Sequence, residues 1–192
     1  MQNLLTLMRK PCRAFARNEG GTVVAEAVIV LPLFLWAYIA LFAYWDAFRS
    51  MNTVQKAAFT VADMISREQT GIVTAYVNGI SDVMEFLIDE NQDARLRVTS
   101  VTWSEDNNRF EVHWSASPGN TMTPQTTTSL QDYIYEIPTM SPGDFVVILE
   151  VEVDYRPTFD IGMPDQTFRQ FIVTRPRFLP CLPLDAVSCP VT

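Results

Sequence analysis

The chain has 192 residues, with 22 acidic side chains against 14 basic ones and a formal net charge of −8. That excess of acid argues against nucleic acid as a partner, because phosphate recognition runs on clustered Lys and Arg. A single histidine leaves little room for a Ser- or Cys-based triad, and a patterned 48 % hydrophobic content excludes a wholly disordered chain.

From the N-terminus, Arg9, Lys10, Arg13 and Arg17 face only Glu19 as an acid in the first 21 residues. Residues 27–45 (AVIVLPLFLWAYIALFAYW) then carry no formal charge. As a helix this run spans roughly 28 Å, the thickness of bilayer hydrocarbon. It ends in Tyr44-Trp45, an aromatic pair suited to the lipid–water boundary. The basic flank holds the N-terminus in the cytoplasm and sends the C-terminal part across, so we expect a single-pass anchored protein. A removable signal peptide is the alternative. The apolar run is too long for one, and its exit, Phe42-Ala43-Tyr44-Trp45-Asp46, lacks the small residues of a cleavage site.

A plain anchor leaves Glu26 unexplained. A carboxylate at mid-membrane costs about 2.5–3.5 kcal/mol, and less near the interface. A cut after Gly21 would make Thr22 residue one and Glu26 residue five. The new ammonium on Thr22 would then pair with a Glu26 carboxylate of a neighbouring subunit, offsetting the desolvation of both charges.

A basic leader, Gly at the cut, Glu five residues on and a long apolar helix resemble the class III signal of type IV pilin-like proteins. The wording Arg17-Asn-Glu-Gly-Gly-Thr-Val-Val-Ala-Glu26-Ala-Val-Ile-Val-Leu-Pro32 most resembles the TadE/TadG-like pseudopilins of the tight-adherence (Flp) pilus system. This chain departs from them in Ala25-Glu26-Ala27, where Val-Glu-Phe is common, and in a second glycine, Gly20, which offers an alternative bond. The resemblance implies a minor structural subunit of a bacterial pilus, with no enzymatic activity of its own. It implies a prepilin peptidase that cuts after Gly21, and other pilin-like subunits and assembly proteins as partners. It also implies an inner-membrane location with the C-terminal domain in the periplasm, and extraction into a fibre.

On this reading residues 1–21 are a cleaved cytoplasmic leader, 22–45 a transmembrane helix, and 46–192 a stalk helix with an α+β domain. The cut removes four bases and one acid, Cys12 with them, leaving a formal net charge of −11. Two alternatives stay open: a signal-anchored periplasmic binding module or enzyme, and a pseudopilin of a type II-like secretion system.

Pro32 falls inside the span and removes one helix hydrogen bond, so a kink or loosening is expected over residues 28–32. Beyond the membrane the helix continues over 46–67. Ala47, Met51, Val54, Ala58, Val61 and Ile65 form one narrow apolar seam, which packs along sister helices or on the chain's own domain. Gly71 is read as the break, and a second helix over 72–88 presents Val73, Tyr76, Ile80, Val83 and Leu87. Glu90-Asn91-Gln92-Asp93 reads as a turn.

Strands follow. One runs from Leu96 to Trp103; after a turn at 104–108, Phe110, Val112 and Trp114 alternate with polar residues, His113 among them, as a half-buried strand. Residues 115–143, rich in Ser, Thr, Pro and Gly, read as an exposed excursion with one helical turn near 130–135. FVVILEVEVDY, Phe145–Tyr155, is the strongest strand and central; 167–174 is the last. The expected domain is pilin-like: a second helix packed on an antiparallel sheet of three to five strands.

The search for chemistry finds little. His113 reads as solvent-facing, and Glu150, Glu152 and Asp154 share one strand face read as solvated. No metal site or cofactor is expected, since no ligand spacing accompanies these acids. Cys181 and Cys189 are an even pair in an exported domain, read as a disulfide worth about 2.5 kcal/mol, with two free thiols as the alternative.

Overall fold

The computed structural model describes residues 20–88, 92–159 and 162–189. Arg9, Lys10, Cys12, Arg13, Arg17 and Glu19 of the leader lie outside them, as do Glu90 and Asn91. The chain divides between Trp45 and Asp46 into two compact units. The architecture is α+β: a long N-terminal apolar helix and a separate four-stranded antiparallel sheet with helices.

Helix α1, Gly20–Ser66, contributes to both units and runs unbroken through Pro32, so the loosening expected there does not interrupt it. In the second unit its buried apolar residues are Val54, Ala57, Ala58, Val61, Ala62 and Ile65, every one in the same core as the strands. The expected seam therefore lies on the chain's own domain. Met51 does not join it and is 45 % exposed, whereas Ala57 and Ala62 widen it.

The helix ends at Ser66, five residues before Gly71. Gly71 instead permits a close approach of the tail, since a Cβ there would stand 2.9 Å from Pro183 Cγ. Helix α2, Thr74–Leu87, buries Val77, Ile80 and Met84. Tyr76, Val83 and Leu87 flank that stripe, while Val73, expected on it, is exposed and precedes the helix.

The sheet has the order β2-β1-β3-β4, every pair antiparallel. β1 is Ala94–Ser104, β2 Arg109–Ala116, β3 Phe145–Tyr155 and β4 Gln166–Thr174. β3 is central and near-continuously apolar because it is covered on both faces. On one face Leu96, Val98, Trp114, Val147, Leu149, Val151 and Val153 join the helices. On the other, Val101, Phe110, Val146 and Ile148 meet Leu130 and Ile137 from the segment between β2 and β3. That segment is thus a cover and not the exposed excursion its composition suggests. Within it Thr126 and Ser129 form a capping box at the start of α3, Thr127–Leu130.

A bulge decides the faces of β2. Ser100 pairs with Trp114 and Val101 with Val112, so His113 is the extra residue. Phe110 and Val112 face the cover while Trp114 turns to the helix side. The expectation that the three share a face fails here, since one inserted residue inverts the alternation.

Candidate functional site

Helix α1 opens at Gly20, so Gly21, Thr22 and Glu26 all lie in its first two turns. Thr22 and Glu26 are four residues apart and share one helix face. Glu26 is exposed and makes no ion pair among the described residues. Pro32 follows six residues later. Around them Val23, Val28, Ile29, Leu31, Leu33, Phe34, Leu35 and Trp36 are exposed, Ile29 to 74 %. By length and composition this is a candidate membrane span, the one such helix among the described residues. Exposed apolar surface of that extent requires lipid or another protein against it. Glu26 is the carboxylate set into it.

The acids of β3 face the cover, and they are paired. Arg95 stands opposite Glu152 and Arg97 opposite Glu150 in the β1–β3 register, while Arg169 of β4 stands opposite Glu152. Glu150 is 2 % exposed, which corrects the solvated reading. Its Oε2 accepts from Arg97 Nε at 2.7 Å and lies 2.6 Å from a second Arg97 nitrogen; its Oε1 accepts from Arg169 at 3.2 Å. Arg97 donates further to the Thr123 carbonyl, and the Arg169 guanidinium lies 4.7 Å from the centre of the Tyr133 ring. Farther along, Arg95 pairs with Glu152 at 3.5 Å and with Asp154 at 3.2 Å. Every β3 acid is thus neutralised by an arginine of a neighbouring strand. This explains how charged residues sit under the cover, and gives the strand a structural role.

His113 is also displaced from its expected place. At the bulge its ring meets Phe145 edge-on, with 5.6 Å between centres, and its Nε2 is buried without a hydrogen-bond partner. Burial lowers its pKa from the ordinary 6.5.

The C-terminal tail closes on itself. Cys181 and Cys189 form a disulfide, with Cα atoms 5.9 Å apart. The loop so formed carries Asp185 in a left-handed conformation, φ 47°, and its carboxylate accepts from the Thr74 amide at 3.1 Å and from the Thr74 hydroxyl. Asp185 therefore caps α2 in place of Val73, whose side chain cannot. Pro183 accepts from the Ile72 amide at 2.8 Å, and Leu182, fully buried, accepts at 2.7 Å from the Trp114 indole. Sequence reading found the cysteines but missed the cap, because nothing local pairs Asp185 with a helix 111 positions earlier.

Beside β2 lies a cavity of about 340 Å³ lined by Trp103, Phe110, Ile134, Ile137 and Met140. Two of its polar neighbours are already engaged: Gln131 donates to the Phe110 and Thr127 carbonyls, and Arg109 pairs with Glu111 at 3.1 Å. Among the described residues no three His, Cys, Asp or Glu side chains come together as a metal centre would need.

Set against known protein families, curated proteins and solved structures, the chain finds no match.

Proposed function

We propose that this chain is a minor pilin-like subunit of a bacterial tight-adherence pilus, a substrate of a prepilin peptidase and not an enzyme. The observation that carries the reading is Glu26, a carboxylate on an exposed apolar helix, five residues beyond Gly21 and on the face of Thr22.

In this account the leader holds the N-terminus on the cytoplasmic side of the inner membrane until the peptidase cuts after Gly21. The cut creates an ammonium on Thr22 where the backbone had none. In hydrocarbon that charge is costly alone, and so is Glu26, but the pair offset one another. Pairing between neighbouring subunits sets the axial register of one helix against the next. The pilin-like character of the soluble domain and its place in the periplasm belong to the same proposal; the α+β layout and the tail disulfide are compatible with it.

The test is Glu26→Ala in the host that carries the pilus. Membrane insertion should persist, because the apolar run is untouched, while fibre assembly falls. Normal piliation in that variant would leave Glu26 without a role and remove the basis of the reading.

A further inference from the structure

The sheet has two edges, and the molecule treats them differently. At the β2 edge the Val112 amide donates to Thr127 Oγ1 at 3.1 Å, and the Phe110 carbonyl accepts from Gln131 Nε2 at 3.0 Å. Helix α3 and the turn after it therefore cap that edge with side chains. At the other end, β4 pairs with β3 through all nine residues, Gln166–Thr174, without a register shift. Among the described residues its outer side makes no backbone hydrogen bond to anything else. The usual protections of an edge are proline, a bulge or an outward charge. β4 has no proline and no bulge, and its one charge, Arg169, is folded back onto Glu150 and Tyr133.

A free row of backbone donors and acceptors fits one chemical class of partner, an extended strand. We propose that the partner is β4 of a second copy of this chain, antiparallel about a two-fold axis through Gln170, continuing the four-stranded sheet into one of eight. The strand's own sequence supports this choice. Gln170 is the midpoint of the nine residues, so pairing about it opposes Gln166 to Thr174, Thr167 to Val173, Phe168 to Ile172 and Arg169 to Phe171. Phe168 and Ile172, both in the helix-side core, meet across the axis on one face. The two arginines avoid each other, whereas an axis through Arg169 would set like charges in direct opposition. This pairing is independent of whether the leader is cleaved, because it uses the sheet alone.

The experiment is site-specific cross-linking of the full-length chain in detergent, in a Cys12→Ser background. Directly opposed residues hold their Cβ atoms about 4.5–5.5 Å apart, within reach of a short thiol cross-linker. Gln170→Cys should give a covalent dimer. Thr167→Cys mixed with Val173→Cys should cross-link at least tenfold more than either alone, and Arg109→Cys on the capped β2 edge should stay monomeric. The yield should survive high salt, because a ladder of hydrogen bonds and apolar pairs is not screened as ion pairs are. As a second reading, amide exchange of the unaltered chain should slow in β4 as its concentration rises. A monomer at Gln170→Cys, equal yields at all positions, or exchange in β4 that ignores concentration would each overturn the proposal.

Discussion

The Tyr155 hydroxyl, at the end of the central strand, donates a 2.9 Å hydrogen bond to the carboxylate of Asp46, the residue that follows Trp45. Tyr155 is 3 % exposed, and burial first, then the Asp46 carboxylate, pushes its pKa up to about 12 from the ordinary 10. The folded state thus holds the phenolic proton more tightly than the unfolded chain does. The stability this contributes is fully present below pH 10 and is lost as pH rises through 10 toward 12. Thermal melting of the wild type should fall over that window, and Tyr155→Phe should fall less steeply. Equal slopes for the two would show that the bond does not hold the proton.

The Arg97–Glu150 pair carries a larger expectation. Both side chains are nearly dry, at 10 % and 3 % exposure, so removing Arg97 leaves Glu150 beneath the cover with the more exposed Arg169 as its remaining arginine. Arg97→Met should cost about 3–5 kcal/mol in chemical denaturation, while Arg97→Met with Glu150→Leu should recover most of the loss. A single variant as stable as wild type would mean that the pair is wetter than the packing indicates.

What the chain discloses locally and what it hides can be read from β3 and its neighbours. Phe145–Tyr155 was legible to the residue because eleven residues with one apolar face and β-branched enrichment leave few alternatives. The fate of Glu150 was not legible, since its partner Arg97 lies 53 residues away and alternating charge reads as solvent exposure. His113 hid the bulge, because an inserted residue leaves no compositional mark and inverts everything after it. The cover between β2 and β3 reads as loop by its Ser, Thr and Pro, yet Leu130 and Ile137 bury themselves on the sheet. At the candidate site the sequence signal is local: Glu26 is conspicuous as a charge at the start of an apolar run, and the helix that carries it with Gly21, Thr22 and Pro32 is exposed there.

The tail should behave as a clasp on α2. Asp185→Ala removes the cap from Thr74 and should cost about 1 kcal/mol. Cys181→Ser with Cys189→Ser should cost about 2.5 kcal/mol by releasing the loop that holds it. Combined, the losses should fall short of their sum, because Asp185 can cap only while the loop is closed. Additive losses in denaturant titrations would separate the cap from the clasp.

His113 gives an acid counterpart to Tyr155. Its folded pKa is lowered, so the folded state disfavours the proton. The stability it contributes is present above the unfolded value near 6.5 and is lost as pH falls below it. His113→Gln should flatten the fall in melting temperature as the pH drops below about 6.5. A profile unchanged from wild type would place the acid sensitivity elsewhere.

The central claim is that Glu26 awaits an amine that only cleavage supplies. The most direct measurement is the intact mass of the protein isolated from its native membrane. The account predicts a chain that begins at Thr22, or at Gly21 if the neighbouring bond is used. A chain that still carries Met1 through Gly21 in cells making the fibre would contradict it.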